Sequence, residues 1–512
     1  MPQNNPTPLL MIGIDAAEIA LVTRWIEDGS LPNLRRLRER GTFFPLRSTA
    51  DWLVGSPWPS FYTSTPPSEH GLYHYLMWRP GLMRHDRPTP GWMPLQPFWR
   101  DVADKGFRVA AVDVPLAYAP AHFAGRELCG WATHETLQPV CSHPKELIEE
   151  IERRIGKPPL DDEEAYLLTA RQLLQVRDQC VRTTQMVAEA GATLISDEMC
   201  DLFLLCFSAT HRAGHQLWDR ANMLGDASEP DAEALNDALR QVYIAADAGV
   251  GTLIDAIGHG ANIVVFSLHG MGVNNSRVDV LADMLSRVLA GDAPDVKPGL
   301  LDKLRGIVPA DARSWVKTRL PILVQDKLTL FWRTRGIDWA KTSAFALFSD
   351  LYGYVRINLR GRETNGIVAP EDYDALREKI MAGLSTFVDR DSGEPVVEAM
   401  AKIEDIYPEG EMQSHLPDLL IRWRPDAAAN HNALVSPQFG TVAWPTPGTH
   451  PQGRSGNHRD TGFVLAAGPD ISSTVNPDAH IIDLAPTAFT LLGLDVPEQM
   501  RGRSLFKLHA IC

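Results

Sequence analysis

The stretch that decides the fold is Leu9-Leu10-Met11-Ile12-Gly13-Ile14-Asp15, an apolar run closed by a carboxylate. Further runs share the design. Leu202-Phe203-Leu204-Leu205-Cys206-Phe207 leads to His211 and His215, and Ile263-Val264-Val265-Phe266-Ser267 leads to His269. Late in the chain, Gly456-Asn457-His458-Arg459 precedes Gly462-Phe463-Val464-Leu465-Ala466. Short β-rich apolar runs bounded by glycine or polar residues predict buried parallel strands. Open α/β sheets gather ligands at the carboxyl ends of such strands. The sequence therefore predicts an α/β protein with a central, mostly parallel sheet flanked by helices. One aspartate and four histidines delivered to one sheet edge would make a metal site.

Around this frame the chain alternates. A helical stretch follows Asp15 through Trp25 and Ile26, and a basic helix runs from Leu34 to Arg40, stopped by Gly41. Val109–Val114 reads as a strand closed by Pro115, and residues 143–195 read as helical. Strands resume at Ala344–Phe348, Leu351–Ile357 and Asp418–Trp423, and Asp483-Leu484-Ala485-Pro486-Thr487 opens a terminal helix. Residues 275–343, with scattered proline and aspartate, read as an inserted cap between core segments 1–274 and 344–512. Residues 437–457, rich in Pro, Gly and Thr, have the composition of a site loop.

Composition bounds the function. The chain has 512 residues, 44% hydrophobic and 22% charged, ordinary for a globular protein with a large core. A formal charge of −15 argues against a nucleic-acid polymer as partner. An anionic ligand would need local positive charge, which a metal ion supplies. No run approaches the roughly 18 apolar residues of a membrane span, and Met1-Pro2-Gln3-Asn4-Asn5 has no signal-peptide character. The six cysteines show no regular spacing and read as reduced thiols, so a cytoplasmic location is expected. Oligomeric state is not legible.

The candidate residues each have a plain alternative. His211 and His215, four apart, would present both rings on one helix face, where they could share a metal or simply decorate a surface. Asp15 could be a helix cap, and His269 and His458 could be satisfied loop histidines. Ser56, before Pro57, has the pattern of a helix start, where the positive end of the dipole favours an alkoxide and an incoming phosphate. It is the nucleophile candidate, with Ser60 the weaker one, although most such serines are only caps.

Taken together these segments resemble the alkaline phosphatase superfamily, specifically its type I phosphodiesterase/nucleotide pyrophosphatase branch. Gly13-Ile14-Asp15 is similar to the opening metal motif, and Leu31-Pro32-Asn33-Leu34 to the segment behind it. Trp58 through Ser64 and Pro67-Ser68-Glu69-His70-Gly71 resemble the nucleophile helix and its trailing motif. Phe207–His215, Ser267-Leu268-His269-Gly270-Met271 and Gly456-Asn457-His458-Arg459 resemble the remaining ligand segments. Three positions depart. His211 stands where the family has aspartate, Leu268 stands where it has a ligating aspartate, and the usual spacing back from Thr63 lands on Val54 instead of a hydroxyl.

The resemblance implies a metal-dependent phosphoric ester hydrolase, most readily a phosphodiesterase or nucleotide pyrophosphatase, working by double displacement through Ser56 on a small phosphorylated substrate. It implies divalent metal, zinc above all, with one ion on His211, His215 and His458. A second would sit on Asp15, His269 and Ser56, a ligand short, and could fill from Asn274, Asn275 or water, which suits Mg or Mn. Asn275 and Arg459 are the implied substrate contacts. The alternatives are a phosphomonoesterase, phosphonate hydrolase or sulfatase of the superfamily, or a degenerate member that binds a phosphoryl ligand without turnover.

Overall fold

The computed structural model describes Pro6 to Phe506 except residues 90, 94, 119–121, 134–139, 160–166, 221, 291–336, 426–431, 445–452 and 472–477. Its centre is an eight-stranded sheet. Five adjacent strands run parallel, in the order Asn262–Ser267, Leu9–Ile14, Leu202–Phe207, Val109–Val112, Arg126–Cys129. Register aligns the ends of the three site strands: Ile14 lies beside Phe207, and Gly13 beside Phe266.

These strands are continuously apolar because both faces are buried. Leu9 and Met11 point into one core with Leu204, Cys206, Val264 and Phe266. Leu10, Ile12 and Ile14 point into the other with Phe203, Leu205, Phe207, Ile263 and Val265. Period-two alternation thus serves two cores at once, and each fully buried aliphatic or aromatic side chain contributes about 1.5–3 kcal/mol. Helices Ala170–Asp197 and Ala238–Ile257 cover the second core through Val187, Leu194, Val250 and Leu253.

Two strands depart from the parallel expectation: Cys141–His143, at one edge, is antiparallel to Arg126–Cys129, and the other borders the site. Thr461–Ala467 is antiparallel to Asn262–Ser267, pairing Phe463 with Ser267. This reversal explains how a histidine that precedes its strand reaches the same rim as residues that follow theirs. The amino end of an antiparallel strand lies at the carboxyl ends of its neighbours, so His458 arrives beside His269.

The Leu31-Pro32-Asn33-Leu34 segment opens helix Pro32–Glu39. The cap comes from a distant helix: Asp247 accepts from the backbone N–H of Asn33 (3.1 Å) and Leu34 (2.8 Å) and from the Asn33 side-chain amide (2.8 Å). A second, four-stranded antiparallel sheet is built from Ala344–Ala346, Gly353–Ile357, Leu419–Trp423 and Val397–Lys402. Of the segment read as a cap, helix Val278–Ala290 sends Val280, Leu281, Met284, Leu285 and Val288 into the same core as this sheet. Residues 291–336, the rest of that reading, lie outside the described residues, as do residues 445–452 of the predicted site loop. No helix among the described residues is long and apolar enough to cross a membrane.

Candidate metal centre

Asp15 stands at the end of the first strand and caps no helix; the helix that follows, Ile19–Glu27, is capped by Glu18. The Asp15 backbone is held from both sides. Its N–H donates to the Phe207 carbonyl at 3.2 Å, and its carbonyl accepts from Thr210 Oγ1 at 2.7 Å. The strand Leu202–Phe207 passes into helix Ala209–Leu217, which carries both His211 and His215. Their spacing does put the rings on one face, with Nε2 atoms 2.9 Å apart. Gly214 lies under Met271 and against the backbone of Gly456, where side chains on either glycine would clash. That close approach brings the ribbon Gly456–Arg459 onto the histidine helix. The ribbon pairs with Gly270–Val273, setting His458 opposite Met271.

The five predicted ligands therefore meet. Asp15 Oδ2 is 3.1 Å from His211 Nδ1, Asp15 Oδ1 is 3.6 Å from His269 Nε2, and His458 Nδ1 is 3.3 Å from His269 Nδ1. None is more than 5% exposed. His211, His215 and His458 each bring a ring nitrogen within 4.8 Å of the other two. Burial drives the His269 ring down to about 4 and the His215 and His458 rings well below 6.5, so these three hold unprotonated nitrogens. Burial alone would raise the Asp15 carboxyl; the charge and hydrogen bond of His211, with His269 and the Trp58 N–H, hold it at about 2.

The hydrogen-bond partners decide what this cluster needs. His215 Nδ1 lies 2.8 Å from the Gly456 carbonyl, which accepts only, so that nitrogen carries the proton. His211 Nδ1, facing the Asp15 carboxylate, carries one for the same reason. With both rings neutral, two Nε2 lone pairs converge at 2.9 Å, an arrangement that a cation between them would satisfy. An all-imidazole donor set fits zinc.

Ser56 does stand at the start of helix Pro57–Thr63, but its side chain makes no cap hydrogen bond. Its buried hydroxyl donates to the Leu53 carbonyl at 2.6 Å and lies 2.7 Å from Thr49 Oγ1. Among the described residues no hydrogen bond joins it to Asp15 or the histidines. Ser60 lies 2.9 Å from His70 Nε2, but His70 Nδ1 already accepts from the Leu72 N–H, so the ring donates to Ser60 and has no lone pair left to take its proton. Val54 is buried, with its N–H donating to Tyr354. Asn275 and Arg459 meet beside His458, Arg459 reaching Asn275 Oδ1 at 3.4 Å and the Val273 carbonyl at 2.8 Å.

Sequence reasoning passed over Trp58 as a site residue. Its indole N–H donates to Asp15 Oδ1 at 2.9 Å while its ring packs against Phe61 and Phe266. A tryptophan two residues after Ser56 was visible, but nothing in the spacing aims it at a residue 43 positions away. Asn457, next to His458, carries no sequence signal of its own role. It ties the ribbon to Asn274 Oδ1 and the Asp350 carbonyl.

Sheet, helices and rim define an alkaline-phosphatase-like α/β protein. The chain belongs to the type I phosphodiesterase/nucleotide pyrophosphatase family, whose model matches residues 9–438. Among solved structures it is similar to phosphonoacetate hydrolase from Sinorhizobium meliloti 1021 in complex with phosphonoformate: 15% identity, TM-score 0.52, covering 95% of this chain and 96% of that one. The phosphonoacetate complex of the same protein gives a TM-score of 0.50 at 15% identity, with the same coverage. Murine ectonucleotide pyrophosphatase/phosphodiesterase 5, in complex with AMP, is 11% identical with a TM-score of 0.46, covering 96% of each chain. No curated protein matches the sequence significantly.

Proposed function

We propose that this protein is a metal-dependent hydrolase of small phosphate esters, a phosphodiesterase or nucleotide pyrophosphatase by preference. The observation that carries the reading is the convergence of Asp15, His211, His215, His269 and His458 in one buried cluster at the carboxyl rim of the sheet, in a chain of this family. His211, His215 and His458 would hold the ion, with zinc the best match to three imidazoles. A divalent ion there supplies Lewis-acid polarisation of a phosphoryl oxygen.

The chain's own residues do the rest. Arg459 and Asn275, at the mouth of the ribbon, bind the remaining phosphoryl oxygens; the Arg459 guanidinium suits a phosphate geometrically and electrostatically. Ser56 is the proposed nucleophile: its Oγ bonds to phosphorus as the bond to the leaving oxygen breaks, its proton goes to the departing alcohol or nucleotide, and water then cleaves the phosphoserine to free the Ser56 hydroxyl and the phosphate product. For this the Ser56 hydroxyl must leave the Leu53 carbonyl. Burial of the His215 and His458 rings keeps their nitrogen lone pairs ready at neutral pH, so metal does not compete with protons there.

A second reading has its own support. Leu268 and Val54 put apolar side chains where the family pattern has polar ones, which favours a protein that binds a phosphoryl ligand without turnover. Assays on bis-p-nitrophenyl phosphate and p-nitrophenyl phosphate, before and after metal removal and add-back, separate the two. Turnover that disappears with the metal supports the hydrolase. Bound metal with no turnover on any phosphate or sulfate ester supports the binder.

A further inference from the structure

We infer that this chain binds one metal ion and not two, and that Asp15 and Trp58 are positioning residues that orient His211 toward it. The inference rests on the proposed metal-dependent reading of the same site.

Three imidazoles make a self-sufficient set. His211 and His215 converge through Nε2, and His458 completes the group. Each Nε2 is backed by an acceptor on the opposite side of its ring: the Asp15 carboxylate for His211 and the Gly456 carbonyl for His215. This is how proteins fix the tautomer and aim of a metal-binding histidine, the carboxylate also raising the basicity of its ring. Trp58 in turn holds the carboxylate through Oδ1 at 2.9 Å.

A second site next to this one has too few donors. Among the described residues, Asp15 Oδ1 and His269 Nε2, 3.6 Å apart, are what is left to build it, whereas zinc sites use three or more protein ligands. Asp15 Oδ1 already carries the Trp58 hydrogen. Leu268 is fully buried in the apolar core. The amides that could have filled in are engaged: Asn274 Oδ1 accepts from the Ser276 N–H and from Asn457, and Asn275 Oδ1 from Arg459. The exchange is coherent. With histidine at 211, Asp15 gains a ring N–H to bind and becomes a support for the first ion, no longer a ligand for another.

The test is zinc stoichiometry on the whole protein. Chelator-stripped protein is titrated with Zn²⁺ by calorimetry, and bound zinc is counted by elemental analysis. Wild type should bind one equivalent. Asp15→Asn should still bind one, about 10- to 100-fold more weakly, as for loss of a carboxylate behind a ligating histidine. Co²⁺ should give the spectrum of a single four-coordinate species that saturates at one equivalent. Two equivalents in wild type falling to one in Asp15→Asn would overturn the inference while leaving the hydrolase reading intact. No zinc bound by wild type would overturn both. Should Asp15→Asn fail to fold, the wild-type count still decides.

Discussion

Asp15 and His211, 196 residues apart in sequence, meet at 3.1 Å between a carboxylate oxygen and a ring nitrogen. That contact joins the end of strand Leu9–Ile14 to the helix that follows strand Leu202–Phe207 and fixes which nitrogen of His211 faces the cluster. The chemistry proposed here depends on it.

Removing a proposed metal ligand should therefore be far more damaging than its size suggests. His215→Ala deletes one of the two converging Nε2 atoms. It should lose bound metal and lower kcat/KM on a phosphodiester by about 10³-fold or more, a few kcal/mol of charge stabilisation. Metal content and kinetics measured on the same sample check this. Full activity without bound metal would contradict it.

Ser56→Ala tests the nucleophile. As the attacking group its loss should cost on the order of 10³-fold or more in kcat. Stability should fall by only about 1 kcal/mol, since one buried hydroxyl and its bond to Leu53 are removed. Kinetics paired with urea denaturation separate the two effects. A variant that keeps wild-type turnover would make Ser56 a structural residue.

A single ion compensates the charge of a diester monoanion better than that of a monoester dianion. The ratio of kcat/KM for bis-p-nitrophenyl phosphate to that for p-nitrophenyl phosphate should exceed about 10, which is about 1.4 kcal/mol. A preference for the monoester would count against the one-ion centre.

How much of this was legible in the sequence follows from geometry. Asp15, His211, His215 and His269 follow strands whose apolar runs are unmistakable, so their shared rim could be inferred from strand direction alone. His458 precedes its strand, and only the antiparallel pairing of Phe463 with Ser267 brings it round. Local pattern does not encode that orientation. The Trp58 bond to Asp15 and the Asp247 cap on Asn33 were illegible for a similar reason: each is a single hydrogen bond between distant segments, with no periodicity to announce it. The position before Pro57 was readable as a helix start, but the rotamer that turns the Ser56 hydroxyl toward Leu53 was not.

The Asp247 cap has its own consequence. Asp247→Ala would leave two backbone N–H groups and the Asn33 amide without their shared acceptor. The expected loss is about 2 kcal/mol of unfolding free energy, read from denaturant midpoints. Its hydrogen bonds go to Asn33 and Leu34 and not to the histidine cluster, so kcat should be unchanged in the folded fraction.

His70 gives a pH signature. Burial lowers its pKa to about 3 from the ordinary 6.5, so the folded protein holds the ring neutral while the unfolded chain protonates it. Its contribution is complete above pH 6.5 and is lost as pH falls from there toward 3, by up to about 1.4 kcal/mol per pH unit. His70→Gln should flatten the stability profile across that window. An unchanged slope would show that the ring is protonated in the folded state.

The most direct test of the central claim is anomalous diffraction at the zinc edge from crystals of the zinc-loaded protein. One peak should lie between His211 Nε2, His215 Nε2 and His458, with Asp15 behind His211. A chain that takes up zinc elsewhere, or whose five residues lie apart in the crystal, would contradict the account.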